Sequence, residues 1–202
     1  MRVESNTYHH GDLRRELIRV ATEVVKKEGV DALTIRGVSS TLNVSRTAPY
    51  RHFKDKDELL CAIAKQGYLI FGTSMQQVWD EHSDQSPVER FVAVGHSYIN
   101  FSCDYPEYYL LMFGSSGLLR SDNAQLKQES DATFNFLQQM LAFCQQQGAF
   151  LAEDTLLQAR YVWCALHGYC SIIIANDEQT SAQMKQDSHQ FLQKIIDGLC
   201  VR

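Results

Sequence analysis

Apolar residues recur at intervals of three and four along almost the whole chain, which is the spacing of one face of an α-helix. The strict alternation of apolar and polar residues that marks a half-buried strand is almost absent. The 202 residues also contain only three prolines, at positions 49, 87 and 106. Because proline breaks the interior of a helix, its scarcity allows long helices. The sequence therefore predicts an all-α fold of about nine helices.

Residues 34–53 predict two short helices joined by a tight turn. Thr34 suits the cap of the first helix, and the apolar residues that follow it fall on one face. Asn43 lies where the chain must reverse, because asparagine tolerates the left-handed backbone conformation almost as readily as glycine. Ser45 then suits the cap of a second, polar helix. This order is that of a helix-turn-helix, whose second helix enters the DNA major groove.

The second helix of this motif carries polar side chains that suit contact with DNA. Arg46 and Thr47 lie at its N-terminus, the end that normally meets base edges. Arg36, near the start of the preceding helix, can reach a phosphate or a base edge, and arginine is the best bidentate reader of guanine. Pro49 falls in the first turn after Ser45, where proline is tolerated. The segment predicts double-stranded DNA as a partner.

The chain after residue 54 predicts a larger helical body. Asp55 suits the cap of a long helix, with Glu58 as the returning carboxylate of a capping box. This helix is expected to begin beside the DNA-reading helix and to end deep in the body. We therefore expect a DNA-binding domain over residues 1–54 and a ligand-binding and dimerisation domain over residues 55–202.

The helix predicted from Asp154 to about Ala175 is apolar on nearly every side. A helix that is apolar all round must be buried all round. In a chain of this size, that pattern favours one face on its own domain and another on a second subunit. With the helix predicted over 182–199, it would form a four-helix bundle between two identical subunits. The residues expected at this homodimer interface are Leu166, Ile173, Phe191, Ile195 and Leu199.

Aromatic residues are concentrated in the helices of the predicted body. Aromatic walls with a few polar groups are what a pocket for an apolar small molecule needs. The alternative stays open that most of these residues are ordinary core, and that its two histidines are buried and hydrogen-bonded. The residues expected to line such an effector pocket are Phe71, His96, Tyr98, Phe101, Tyr109, Phe113, Phe134, Trp163 and His167.

Charge is distributed unevenly along the chain, whose formal net charge is −5. Residues 1–60 carry a net charge of +2, and residues 61–202 carry −7. A mildly basic N-terminal part fits a local phosphate footprint and does not fit the wrapping of long DNA. The acidic body favours neutral or cationic ligands.

The six cysteines follow no ligand-like spacing, so the sequence predicts no metal site and no cofactor. A redox-sensing cysteine remains an open alternative. The longest apolar stretch, residues 161–175, is interrupted by His167 and is too short to span a bilayer. The first eleven residues are polar, so no signal peptide is expected. We therefore expect a cytoplasmic protein without a membrane partner.

Four stretches around the helix-turn-helix resemble the DNA-binding domain of TetR/AcrR-type repressors: LTIR (33–36), NVS (43–45), APYRHFK (48–54) and KDELL (56–60). Two positions depart from the family pattern. Asn43 replaces the usual glycine of the turn, and Thr47 stands where many members have glycine. A shorter resemblance concerns the body, because YHHG (8–11) and Trp163 followed by HG (167–168) resemble the subgroup with a WHG C-terminal domain.

The resemblance implies roles for individual residues of the motif. Tyr50, His52 and Lys56 would contact phosphates, while Arg51 would contact a phosphate or a base. Lys56 also lies near the N-terminus of the long helix, whose free amides favour a phosphate. The full set of expected DNA-binding residues is Arg36, Ser45, Arg46, Thr47, Ala48, Tyr50, Arg51, His52 and Lys56.

Together these observations predict a dimeric DNA-binding repressor that a small molecule releases from a near-palindromic operator. Two alternatives are a small-molecule enzyme that uses the body pocket and a helical dimerisation module that does not bind DNA. The sequence contains no Ser-His-Asp or Cys-His arrangement with interpretable spacing and no phosphate loop, so an enzyme is not expected. The joint presence of Arg46, Tyr50 and Lys56 argues against the second alternative.

Overall fold

The computed structural model describes residues 10–114, 118 and 122–200. Within these residues, apart from one antiparallel bridge between Phe150 and Cys200, the regular structure is entirely helical. The prediction of an all-α fold of about nine helices is confirmed. The helices are α1 (His10–Glu28), α2 (Ile35–Thr41), a 3₁₀ helix (Pro49–Arg51), α3 (Lys56–Glu81), α4 (Pro87–Asp104), α5 (Pro106–Phe113), α6 (Ala124–Gln146), α7 (Thr155–Ala175) and α8 (Glu178–Leu199).

Local side-chain caps decide where several of these helices begin. At the start of α2, the Thr34 hydroxyl accepts a hydrogen bond from the backbone N–H of Gly37 at 3.0 Å. At the start of α3, the Asp55 carboxylate accepts from the N–H of Glu58 at 2.8 Å. The predicted capping box is not completed there, because the Glu58 carboxylate accepts from the N–H of Lys54 at 2.7 Å, one residue before the cap. Ser86 forms a complete capping box at the start of α4. Such caps each stabilise a helix by about 1 kcal/mol, because they satisfy amides that have no partner within the helix.

The helices α1 and α2 and the 3₁₀ helix form an N-terminal head, which comprises the described residues up to 54. Its small core includes the buried side chains of Leu17, Leu33 and Phe53. α1 begins at His10, two residues before the cap that the sequence predicts, while residues 8 and 9 lie outside the described part of the chain. The remaining helices form the body, and the domain boundary after residue 54 stays a prediction.

The long helix α3 connects the head to the body. It contains 26 residues and is therefore about 39 Å long. It packs against α1 in the head and against α4, α5 and α6 in the body. Buried apolar residues form one continuous cluster from the head into the body, so the two parts share a core along this helix.

The C-terminal end of α3 is tied to two neighbouring helices by Arg90 of α4. Its guanidinium carbon lies 3.8 Å from the centre of the Trp79 ring on α3, and its Nε donates to the Trp79 carbonyl. Phe143 of α6 meets the same indole edge to face, with ring centres 5.4 Å apart. A partly desolvated cation over an indole contributes about 1–2 kcal/mol, so this end of α3 is firmly held.

The short helix α5 lies between α3 of the body and α1 of the head. It approaches α3 very closely at Gly67. A Cβ at this glycine would lie 2.7 Å from Met112 Sδ and 3.0 Å from Tyr108 Cβ, both on α5. A larger residue at this position would force Met112 or Tyr108 to shift, so glycine permits this close approach of α5 to α3.

The body is completed by α4, which packs against α3, α7 and α8, and by α6, which packs against α3 and α7. Side chains from α3, α4, α6 and α7 surround an internal cavity. No helix in the described part of the chain is long and apolar enough to cross a membrane.

Candidate functional site

The second helix of the helix-turn-helix is shorter than the sequence predicts. The expected cap at Ser45 is wrong, because regular helix starts only at Pro49 and is of the 3₁₀ type. Ser45 Oγ instead lies 3.4 Å from Thr47 Oγ1, and the backbone bonds here reach three residues back, as from Ala48 N–H to the Ser45 carbonyl at 3.0 Å. The cause is Pro49, which has no N–H and whose ring clashes with a carbonyl four residues earlier in an α-helix.

The turn between the two helices is as predicted. Asn43 adopts a positive φ of 53°, and Val44 N–H donates to the Ser39 carbonyl at 3.1 Å. Asparagine thus takes the left-handed position for which glycine is usually required.

Three arginines project from the head without a counter-charge. Arg36, Arg46 and Arg51 are exposed, and none of their guanidinium groups forms an ion pair or hydrogen bond with another described residue. Unpaired guanidinium groups at one end of a molecule are available to phosphates and base edges. This end is where the sequence predicts DNA contact.

An open groove brings together three predicted DNA-binding residues from three different elements. Arg36 of α2, Tyr50 of the 3₁₀ helix and Lys56 of α3 all line it. The Tyr50 side chain is 52% exposed, and Lys56 Nζ makes only a long bond of 3.5 Å to the Asp31 carbonyl. Lys54 lines the same groove and was missed, although the run KDK (54–56) is a local basic signal.

The other predicted DNA-binding residues differ in exposure. Ser45 and Thr47 are exposed on the turn before the 3₁₀ helix. Ala48 and His52 are half-buried, so less of each side chain can reach a partner.

The cavity in the body has a volume of about 330 Å³. Five of the nine residues that the sequence predicts for an effector pocket line it: Phe71, Tyr98, Phe113, Phe134 and Trp163. The wall also contains residues that were not predicted: Tyr68, Met75, Phe91, Val94, Leu137, Met140, Val162 and Leu166. Phe91 and Val94 lie on the same face of α4 as Tyr98, at spacings of three and four. This spacing could have predicted them from the sequence.

Three predicted pocket residues form the layer behind the cavity wall. Phe101 packs against Phe71, with ring centres 5.0 Å apart. The Tyr109 hydroxyl lies 2.8 Å from His167 Nδ1, and the His167 ring stacks on Trp163 at 5.4 Å. His167 is therefore a half-buried, hydrogen-bonded histidine behind the wall, which is close to one of the open alternatives.

His96 lies on a different face of α4 and does not line the cavity. Its ring stacks on His189 of α8 at 5.7 Å with an interplanar angle of 4°. Burial, and secondarily the nearby His189, lower the pKa of His96. His96 is therefore not a residue of this pocket, contrary to the expectation from the sequence.

The tyrosine and histidine side chains in and behind the cavity wall are kept neutral by burial. Burial raises the pKa of Tyr68 to about 12 and also raises the pKa of Tyr98 and Tyr109. Burial lowers the pKa of His167, so its imidazole is neutral near pH 7. The charged residues of the lining, Asp131 and Arg160, are exposed.

The residues expected at a dimer interface mostly face the chain's own core. Leu166, Ile173, Ile195 and Leu199 are 2–6% exposed, and the Phe191 ring stacks on Tyr169. They leave little surface for a second subunit.

An apolar stripe on α7 is exposed instead. The stripe consists of the exposed residues Leu157, Tyr161, Cys164 and Ile172 and the half-buried Gly168, at spacings of three and four. The Leu157 side chain is 62% exposed and that of Ile172 51%. The sequence signal for an extra apolar face on this helix was correct, but the side chains on that face are different ones.

Comparison with known proteins agrees with these features. Residues 17–63 match the family described as "Bacterial regulatory proteins, tetR family", and residues 91–199 match "Tetracyclin repressor-like, C-terminal domain". The second match does not confirm the resemblance to the WHG subgroup. The chain is 19% identical over 193 residues to the uncharacterized HTH-type transcriptional regulator YobS of Bacillus subtilis, covering 95% of this chain and 94% of YobS.

Solved structures share the fold. A protein of unknown function from Rhodococcus sp. RHA1 has a TM-score of 0.83 and 24% identity, with 98% of this chain and all of that chain covered. A regulatory protein in the tetR family from Rhodococcus RHA1 has a TM-score of 0.73 and 17% identity, covering 94% of this chain and 98% of that chain. Because both identities are below 25%, the similarity shows that the fold is shared and nothing more.

Proposed function

The chain belongs to the TetR family of DNA-binding transcriptional regulators, and on that premise we propose that it is a homodimeric repressor released from its operator by a small molecule in the body cavity. The observation that carries the proposal is the unpaired basic end of the head. Arg36, Arg46 and Arg51 are exposed there without a described counter-charge. The body carries a net negative charge, which repels the phosphates of DNA. DNA is therefore attracted to the head and not to the body.

We assign different roles to the two parts of the basic end. Arg46 and Thr47, on the turn before the 3₁₀ helix, would meet base edges in the major groove. Arg36, Tyr50 and Lys56, which share one groove, would contact the phosphates that flank those bases. Contacts of the first kind give sequence preference, and contacts of the second kind give affinity that falls with salt.

The exposed stripe of α7 is our proposed dimer interface. Two copies related by a twofold axis would bury the stripe against itself, since such an interface uses the same patch twice. The two heads would then read half-sites about one turn of DNA, ~34 Å, apart, which requires a near-palindromic operator.

Release would follow from a shift between two arrangements of the dimer. A molecule that binds the cavity more tightly when the heads are wrongly spaced for DNA lowers operator affinity by its preference for that state. The proposal gives the cavity a binding role and no catalytic one. The location of the protein in the cytoplasm, where its DNA target lies, is part of the same proposal.

The test is fluorescence anisotropy with labelled fragments upstream of the gene that encodes this chain. We expect a specific complex at low salt that weakens as salt rises. Arg46→Ala should weaken it about five- to 150-fold, corresponding to about 1–3 kcal/mol, and relax preference at one base pair. Lys185→Ala, on the exposed face of α8, is the control of equal charge change and should have no effect. Failure to bind any upstream fragment at low salt, or equal loss in both variants, contradicts the proposal.

A further inference from the structure

We propose that the effector of this protein is an uncharged, mainly apolar molecule of about two rings that binds in the cavity between α3, α4, α6 and α7. The inference rests on the proposed function, in which an occupant of this cavity releases the operator, and it adds the chemical class of that occupant. Three observations carry it: the size of the cavity, the position of its charged groups and the engagement of its polar groups.

The size of the cavity sets the size of the molecule. Its volume is about 330 Å³. An engineered protein cavity of about 150 Å³ with aliphatic and aromatic walls holds one benzene molecule. On this scale, a molecule of about two six-membered rings fills the space. A smaller molecule would leave wall atoms without dispersion contacts.

The charged groups of the lining favour neither sign of ligand. Asp131 and Arg160 are the charged residues of the lining, and both are exposed, so they lie at the solvent-facing edge. Neither forms an ion pair with another described residue. An ion drawn into the apolar interior would lose its hydration without a buried counter-charge, at a cost of several kcal/mol. An ion kept at the edge would meet one attractive and one repulsive group.

The polar groups of the wall and of the layer behind it are already engaged within the protein. The Thr133 hydroxyl of the wall donates to the Ser130 carbonyl at 2.8 Å. The Tyr68 hydroxyl donates to the Met112 carbonyl at 3.2 Å, and the Tyr109 hydroxyl lies 2.8 Å from His167 Nδ1. The Tyr98 hydroxyl has the longest of these contacts, 3.4 Å to the Tyr109 hydroxyl. These groups also stay neutral, because burial raises the pKa of the tyrosines and lowers that of His167. Because its internal contact is the longest, the Tyr98 hydroxyl is the group best placed to bind a hydroxyl or carbonyl of the ligand.

The test compares three probes of the same shape and different charge on the full-length protein. They are para-biphenylmethanol, para-biphenylcarboxylate and para-biphenylmethylammonium, with binding measured by isothermal titration at neutral pH. We expect the alcohol to bind at least tenfold more tightly than either ion. Equal or tighter binding of an ion overturns the inference, and so does the absence of binding by all three probes.

Variants locate the binding and separate the role of the edge charges. Leu137→Trp places an indole into the cavity and should reduce alcohol binding more than tenfold, while retained binding would mean that the alcohol sits elsewhere. Arg160→Gln should weaken only the carboxylate, and Asp131→Asn only the ammonium. A tenfold loss of alcohol binding in Arg160→Gln would show that this guanidinium recognises the ligand, against the inference. Lys127→Gln, on α6 outside this cavity, is the matched control and should change none of the three affinities.

The outcome is distinguishable from a failure of the proposed function. Operator binding is measured first, on the protein without any probe. If operator binding fails while the alcohol still binds best, the repressor role is wrong and the class of ligand stands. If operator binding holds and an ion binds best, only the inference about the ligand is overturned. With both correct, adding the alcohol should lower operator affinity at least tenfold, and the ions at the same concentration should not.

Discussion

The ammonium group of Lys26 on α1 lies 3.7 Å from Oε1 of Glu107 on α5, and this ion pair joins the head to the body. The two partners differ in environment, because the Lys26 side chain is 53% exposed and that of Glu107 only 5%. The second carboxylate oxygen, Oε2, has no hydrogen-bond partner among the described residues. Because α5 ends at Phe113 in the cavity wall, one short helix runs from the cavity to the head.

Removing the lysine should destabilise the protein through the carboxylate that it leaves behind. We expect Lys26→Met to lower the free energy of unfolding by about 1–2 kcal/mol, since a buried charged group loses its partner but Lys26 itself is half in solvent. Urea unfolding measures the effect. Lys27→Met removes the neighbouring lysine, which pairs with Glu23 at the surface, and should cost less than about 0.5 kcal/mol.

The double variant tests the cause. Replacing both partners, Lys26→Met with Glu107→Gln, should restore most of the lost stability because no buried charge is left without a partner. If the Lys26→Met and Lys27→Met variants are equally stable, the ion pair between Lys26 and Glu107 does not contribute to the free energy of unfolding.

Replacing Pro49 should change operator affinity strongly and the free energy of unfolding only slightly. Pro49→Ala allows an α-helix to start at Ser45, which changes the position of the Arg46 side chain. We expect operator affinity to change at least fivefold, while stability falls by only about 0.4–1 kcal/mol because the unfolded chain gains freedom. Pro87→Ala, at the first position of α4, has the same entropic cost and should leave operator binding unchanged. Equal operator affinity of Pro49→Ala and the wild type would mean that the 3₁₀ geometry is irrelevant to recognition.

A charge on the α7 stripe should dissociate the proposed dimer. Ile172→Glu would place two carboxylates at a twofold interface without counter-charges, and we expect the dimer dissociation constant to rise at least tenfold. Analytical ultracentrifugation over a range of concentrations measures it. Leu69→Glu is the matched control, because Leu69 is a similarly exposed apolar residue on α3. If Leu69→Glu dissociates the dimer, or if Ile172→Glu leaves it unchanged, the α7 stripe is not the dimer interface.

Stability should fall as the pH drops below the usual histidine pKa. Burial lowers the pKa of His167, and burial together with His189 lowers the pKa of His96. Both histidines thus bind protons more readily in the unfolded chain, so stability rises with pH through this range and is lost on acidification from about 6.5 downwards. His96→Gln and His167→Gln should each flatten the pH dependence of the unfolding midpoint. If the pH dependence of the unfolding midpoint is unchanged in both variants, other titratable groups cause it.

Much of the fold follows from rules that act over a few residues. The caps at Thr34 and Asp55 and the left-handed turn at Asn43 depend only on neighbouring backbone, so the sequence predicts them correctly. The start of the recognition helix was missed because two local rules compete there. Ser45 favours an early start, and the ring of Pro49 prevents it.

The candidate site is harder to predict because periodicity does not say what covers an apolar face. α7 is apolar on nearly every side, so its spacing cannot separate Leu166, covered by the same subunit, from Ile172, which is exposed. A filled core and a cavity wall also use the same residues, as Phe71 and Phe101 show. His96 could have been excluded, since two residues along a helix from Tyr98 it points to another side.

The clamp of Arg90 on Trp79 gives α3 a fixed pivot at one end. Phe71 of the cavity wall lies eight residues from this pivot, and Lys56 beside the DNA-reading segment lies 23 residues from it. For a straight rod turning about this pivot, a sideways displacement at Phe71 becomes one about three times larger at Lys56. We therefore expect a ligand that displaces α3 at the cavity wall to produce a displacement about three times larger where α3 begins, beside the head.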